Sequence, residues 1–194
     1  GRRVPIDLPR AIGELLDLLR PTLPQGVVVR TDYEATLPSV LADVTQIHQI
    51  LLNLCTNALH AMEAEGGQLR VGLKSRTLDS DEAAGWKVAP GNYVQLSIED
   101  TGVGMEPAVL ERIFEPFFTT KPAGKGTGLG LAMVQGTVRE HHGGIQVVSE
   151  PGVGTTFRIL LPTSRDSEYA KPISEVPIAG GGERILVVDD ESSV

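Results

Sequence analysis

One cysteine, Cys55, stands in 194 residues, so no internal disulfide can form, and no Cys and His group has the spacing of a metal site. Both shortages point to a reducing, cytoplasmic setting. Basic side chains are outnumbered, 17 against 25 acidic, and the net charge of −8 argues against a surface that grips nucleic acid by neutralising its phosphates. A local basic patch is still compatible with that balance. The apolar runs are too short to span a bilayer, so no membrane contact is expected of these residues. No signal peptide is visible either, and the opening at Gly1 suggests a piece of a longer protein. Phenylalanine is scarce and unevenly spread, three of the four falling at Phe114, Phe117 and Phe118.

What the chain does have is 41% apolar residues, enough for one core with something left over. Asp7 is placed to cap a helix over 9–20 that buries Ile12, Leu15, Leu16 and Leu19. A strand follows at 27–33. Asp43 with Gln46 three residues on fits a capping box for the most regular segment, 44–64, which the pair Gly66-Gly67 closes. Leu69, Val71 and Leu73 alternate, as do Val94, Leu96 and Ile98, and the polar stretch 79–92 between them predicts an antiparallel pair. A short helix from Pro107 to about 112 precedes a loop over 114–127 that is expected to be mobile. Apolar periodicity returns over 129–141, stops at Gly143-Gly144, and gives way to strands at 145–149 and 156–161 around a Pro-Gly-Val-Gly turn. The domain is therefore expected over 1–162, a Pro-, Ser- and Gly-rich linker over 163–183, and the cut-short first strand of another domain over 184–194.

Three constellations stand out. Asn53, Asn57 and His60 share one helix face beside the apolar stripe of Ile47, Leu51, Leu54, Ala58 and Ala61. A solvated helix face is the plain reading, but such faces draw Glu, Lys and Gln, whereas asparagine is a poor helix former. Cys55 and Met62 read as packing residues. In IEDTGVGM, Asp100 ends a strand and Gly102 and Gly104 allow a sharp turn against a flat ligand, leaving a carboxylate to accept from an exocyclic amine. The three phenylalanines of FEPFFTTK adjoin the glycine-rich KPAGKGTGLGLAM and suggest hydrophobic plugs anchoring a loop. That glycine-rich run is no P-loop, because Thr119 stands where the first glycine belongs and Gly126 follows Lys125. A dinucleotide fingerprint fails at Leu131.

Asn53 to Asn57, Asp100-Thr-Gly-Val-Gly104, Phe114-Glu-Pro-Phe-Phe118, Gly126-Thr-Gly-Leu-Gly130 and Gly152-Val-Gly-Thr-Thr156 follow one another in the order of the N, G1, F, G2 and G3 boxes. The chain thus resembles the catalytic, ATP-binding domain of sensor histidine kinases, in the GHKL superfamily. LVVDDE near the end resembles the opening strand and acidic pair of a receiver domain, and together the two resemblances suggest a hybrid kinase of the nitrogen-regulation type. No phosphoacceptor aspartate follows, so no working receiver is expected here.

The resemblance implies an α/β two-layer sandwich of Bergerat type, with a mixed, largely antiparallel sheet of about five strands and three main helices on one face. It implies ATP and Mg²⁺ as ligands. Asn57 would hold the metal with help from Asn53, and Asp100 would accept from the adenine amine, supported by Thr155 or Thr156. Lys121 to Met133 would be the ATP lid and the start of the next helix, with Gly126, Gly128 and Gly130, and Thr127 and Leu129 between them, bringing backbone N–H groups to the phosphates. Lys125 and Lys121 would offset phosphate charge, and His60 would contact a phosphate. The GHKL ATPases carry a glutamate base four residues before the metal-binding asparagine; here Asn53 stands there and cannot take a proton at neutral pH. None of the four histidines fits the phosphoacceptor pattern, and His141 and His142 read as the polar end of a helix. A kinase domain served by a separate dimerisation and histidine-phosphotransfer domain, with a receiver or response regulator beyond it, is the expectation. A non-enzymatic nucleotide-sensing module and a GHKL ATPase are the competing readings.

Overall fold

A computed structural model describes residues 3–121 and 126–164. Lys125 and the stretch from 165 onward, with most of the expected linker and all of the receiver-like end, lie outside the described residues. Thr163 and Ser164 are still tied to the fold, Thr163 by a bridge to Val40 and Ser164 by an N–H that donates to Ser39 O at 2.8 Å.

Helix α1, Leu8–Leu19, opens as expected on Asp7, whose carboxylate accepts the Arg10 N–H, and it buries Leu8, Ala11, Ile12, Leu15, Leu16 and Leu19. Helix α2, Val44–Ala61, is capped by Asp43 through the N–H groups of Thr45 at 2.8 Å and Gln46 at 3.4 Å. The capping box closes only halfway. The Gln46 amide turns to Glu140 instead, and the Asp43 N–H donates to His141 Nε2 at 3.4 Å. His141 is consequently not a polar helix end: it is 2% exposed, with Nδ1 2.8 Å from Thr137 O, and it ties the start of α2 to the end of α5, Gly130–Glu140. Helix α2 ends at Ala61 rather than 64, because the Gly66 N–H turns back to Met62 O at 2.9 Å.

Five strands, β2 Val27–Tyr33, β4 Gly67–Leu78, β5 Gly91–Asp100, β6 Gly144–Glu150 and β7 Gly154–Pro162, form one sheet in the order β2-β4-β5-β7-β6. Only β2 and β4 are parallel. A parallel neighbour needs a crossover, and α2 supplies it, which lays that helix across the sheet. The face carrying Leu69, Val71, Leu96, Ile98, Phe157 and Ile159 meets α1, α2 and α5 in one core that also takes Cys55 and Met62. The mixed sheet with three main helices on one face is the architecture expected.

Two features escape the sequence reading. Val4–Ile6, β1, pairs antiparallel with Val40–Ala42, β3, each too short to announce a strand. The polar stretch 79–92 also hides α3, Ser80–Trp86, capped by Asp79. Its Ala83 and Trp86 pack with Leu78, Tyr93 and Leu160 in a second, smaller cluster. Leu160 alternates with Ile159 and Leu161 of the main core, so this cluster lies on the opposite sheet face. The short helix expected after Pro107 is α4, Pro107–Leu110.

Candidate functional site

Asn53 and Asn57 are half-buried on α2, and His60 is exposed one turn further on. Asn53 Nδ2 is buried with no hydrogen-bond partner among the described residues, so its desolvation is not offset there. Helix α5 begins against it: a Cβ on Gly130 would stand 3.0 Å from Asn53 Oδ1. No side chain of its N-cap residue, Leu129, caps α5, so the first-turn N–H groups of a helix that starts beside Asn53 receive no cap from it. Gly128, with φ +66°, reverses the chain just ahead of them and accepts the Phe117 N–H at 2.9 Å. Thr127 Oγ1 lies 3.4 Å from the Leu129 N–H, and Gly126 is exposed beside Thr119.

Further along α2 the helix meets the turn after β5. Asp100, 6% exposed, accepts the Gly102 N–H at 2.9 Å. Burial, the larger influence, pushes its pKa up; the Gly102 and Thr155 N–H groups pull it down, and Glu99 adds a smaller rise. Gly102 can only be glycine here, since a Cβ would lie 2.6 Å from both Ala61 Cβ and Ala61 O. The Val103 N–H donates to that same Ala61 carbonyl at 3.1 Å. Gly104 rests on the Glu150 backbone, and the Gly152 N–H closes the contact by donating to Val103 O at 2.8 Å. Gly154, with φ +133°, allows β7 to start against the Asp100 carbonyl.

The two threonines separate. Thr155 pairs with Asp100 across the β5–β7 ladder, is 6% exposed, and holds its hydroxyl 2.9 Å from Ser149 Oγ. Thr156 pairs with Glu99 and points to the other sheet face, away from Asp100. There it lines a groove of about 620 Å³ with Asp32, Lys74, Gln95, Ser97 and Arg158. That groove shares no other expected site residue; it is lined by three acids and three bases, of which Arg70 and Glu99 already face each other at 3.7 Å.

Lys121 crosses from the loop to the amide stripe. Its Nζ donates to Asn57 Oδ1 at 3.2 Å and lies 2.9 Å from His60 Nδ1, and burial lowers its pKa from the ordinary lysine value. The phenylalanine plugs are only partly realised. Phe114 packs on the core and Phe118 is half-buried under the Arg112 guanidinium at 4.3 Å, but Phe117 has φ +68° and is 74% exposed. Lys125 lies outside the described residues. The structure thus brings Asn53, Asn57, His60, Asp100, Gly102, Lys121, Gly130 and Thr155 along one side of α2, and leaves Thr156 out. The sequence reading missed Ser149, which has no motif, and Ala61, read only as part of the apolar stripe.

The donor set fits a divalent cation held with an anionic ligand. An ammonium already stands on the Asn57 amide oxygen, and an unsatisfied amide and uncapped N–H groups lie beside it. No group of three His, Cys, Asp or Glu side chains among the described residues could hold a metal. Mg²⁺ bound with a nucleotide takes few protein ligands and fills the rest of its shell with phosphate oxygens and waters, so a single amide oxygen is compatible with it.

Residues 42–165 match the family described as Histidine kinase-, DNA gyrase B-, and HSP90-like ATPase, and the chain belongs to that family. Its five-stranded mixed sheet with helices matches the GHKL ATPase fold of histidine kinase catalytic domains. Sensor kinase CckA of Brucella abortus is 38% identical over 201 residues, covering 97% of this chain and 21% of that protein. Signal transduction histidine-protein kinase AtoS of Escherichia coli is 39% identical over 141 residues, covering 71% of this chain and 21% of its own length. The chain therefore spans about a fifth of each of these relatives. Among solved structures, full-length ShkA in complex with AMPPNP is similar at 31% identity and TM-score 0.65, over 84% of this chain and 31% of that one. The nucleotide-free catalytic domain of histidine kinase ThkA is similar at 25% identity and TM-score 0.66, over 84% and 97%.

Proposed function

We propose that this chain is the catalytic domain of a sensor histidine kinase: it binds Mg·ATP and passes the γ-phosphoryl group to a histidine on a separate dimerisation and phosphoacceptor domain. The observation that carries the reading is Asn53. It occupies the place where a hydrolase needs a base, and its buried Nδ2 makes no hydrogen bond among the described residues. Water must lose a proton to attack phosphorus, whereas a neutral imidazole offers an unprotonated ring nitrogen. Without a base at position 53 the site is suited to a histidine nucleophile and poorly suited to water. Asp100, the carboxylate at the other end of the site, is buried under two backbone N–H groups and is aimed at recognition.

In this reading Asp100 accepts from the adenine amine while Thr155, steadied by Ser149, lies beside it on the same face. The free donors at the start of α5, with Gly126, Gly128 and Gly130 making room, receive phosphate oxygens. Asn57 holds Mg²⁺ through its amide oxygen with Asn53 in support; His60 and Lys121 contact the outer phosphates, and Lys125 adds charge. Bound Mg²⁺ would draw negative charge from the phosphates during transfer. The protein's share is positioning: it fixes the γ-phosphorus for a nucleophile that another domain brings.

The resemblance of residues 184–194 to a receiver start extends the reading to a hybrid kinase, with a receiver or response regulator as the next acceptor. An ATP-dependent site and a buried free thiol support a cytoplasmic location, and no helix among the described residues is long and apolar enough to cross a membrane. The test is transfer. Incubated alone with γ-labelled ATP, the chain stays unlabelled; with a helical hairpin carrying the acceptor histidine supplied in trans, acid-labile label appears on that histidine. Stoichiometric label on this chain alone, or steady phosphate release without transfer, overturns the proposal.

A further inference from the structure

Lys121 is held on the side-chain oxygen that the proposed function gives to Mg²⁺. Among the described residues it makes no ion pair with a carboxylate. Its ammonium instead rests on two neutral acceptors of α2, Asn57 Oδ1 at 3.2 Å and His60 Nδ1 at 2.9 Å. An ammonium can only donate, so His60 Nδ1 is the accepting nitrogen and the ring proton sits on Nε2. Lys121 N–H donates to Thr119 Oγ1 at 3.1 Å, which fixes the backbone from which the side chain reaches.

A divalent cation and an ammonium on the one oxygen Asn57 Oδ1 would stand only a few Å apart and repel each other, so the two compete for it. We propose that Lys121 is a built-in counter-cation: it fills the metal position on Asn57 in the nucleotide-free domain, serves ATP that arrives without metal, and is displaced from Asn57 by Mg·ATP. This rests on the nucleotide reading above and adds the order of events at its metal position. Lysine and metal are then alternatives rather than partners at that oxygen. Metal-free ATP keeps a positive charge beside its phosphates. Mg·ATP gains the metal but must first detach the lysine, so the gain from metal is muted in the natural chain.

Lys121→Met keeps the length of the side chain and removes the charge. Two measurements on the full 194-residue chain decide the matter. By calorimetry, the variant should bind ATP in excess EDTA at least about tenfold more weakly than the natural chain, the loss of one charge-assisted hydrogen bond. With saturating Mg²⁺ the two should differ by less than about threefold, since lost phosphate contact and lost competition offset each other. An equal loss in both conditions makes Lys121 an ordinary phosphate contact and overturns the proposal. Without any nucleotide, the Asn57 side-chain amide resonances should move in the variant; resonances that stay put also overturn it. If they move but neither protein binds ATP with or without Mg²⁺, the nucleotide reading itself fails and displacement by Mg·ATP falls with it.

Discussion

Replacing Asp100 by asparagine isolates one atom of the site. The amide oxygen can keep the Gly102 N–H now held at 2.9 Å on Oδ1. The other oxygen becomes an NH₂ group. In the proposed pocket that turns an acceptor for the adenine amine into a second donor facing it. A hydrogen bond to a charged group contributes about 1.5–3 kcal/mol, so ATP affinity should fall roughly ten- to a hundredfold. A purine with a carbonyl at the same ring position, as in ITP, offers an acceptor and should lose far less. Calorimetric titration of both nucleotides reads the switch. Unchanged ATP affinity, or equal losses for ATP and ITP, removes Asp100 from base recognition.

The same substitution has a pH signature in the protein without ligand. Burial raises the folded-state pKa of Asp100 above the ~3.9 of an unfolded chain. Between those two values the folded protein holds a proton that the unfolded one has released. Its contribution to stability is therefore full below pH ~4 and declines as pH rises through the window. The amide of the variant cannot titrate, so the stability of natural chain minus variant, from urea melts, should shrink from pH ~4 upward and then level off. A difference that grows with pH would contradict the burial of this carboxyl.

Gly102→Ala would push a methyl to 2.6 Å from Ala61, forcing the turn off the end of α2; a loss of about 1–3 kcal/mol in stability by denaturant melt, with weaker ATP binding, is expected. Near-native stability would mean that the turn is not seated on Ala61. Cys55 is fully buried and its thiol pKa is pushed up to about 12, so a disulfide reagent should modify it only as fast as the chain unfolds. Rapid labelling of the native protein would count against the packing of α2 on the sheet.

Period and punctuation carried the reading where neighbours in sequence are neighbours in space. The apolar faces of α1 and α2, the 27–33 strand and the β4–β5 pairing follow from spacing alone, because the sheet and helix repeats are local. α3 was invisible because its seven residues begin with Ser-Asp-Glu, which read as a polar connection, and only packing against Tyr93 and Leu160 gives it a buried side. His141 read as solvated because nothing local says that the Asp43 N–H, 98 residues away, will be short of an acceptor.

Sequence by itself determined that asparagines would share a helix face, that an acid would end a strand before a flexible turn, and that a glycine-rich run would precede a helix. These depend on residue order and backbone preference. Tertiary structure decided what those pieces meet. Strand pairing set Thr155 beside Asp100 and turned Thr156 to the far face, a difference of one residue in a two-residue repeat. The crossover of α2 brought Asn53 against the start of α5 and left its amide unsatisfied. The reach of one loop side chain put an ammonium on Asn57. Such contacts join segments far apart in the chain, and their energies exist only once the core between them has closed.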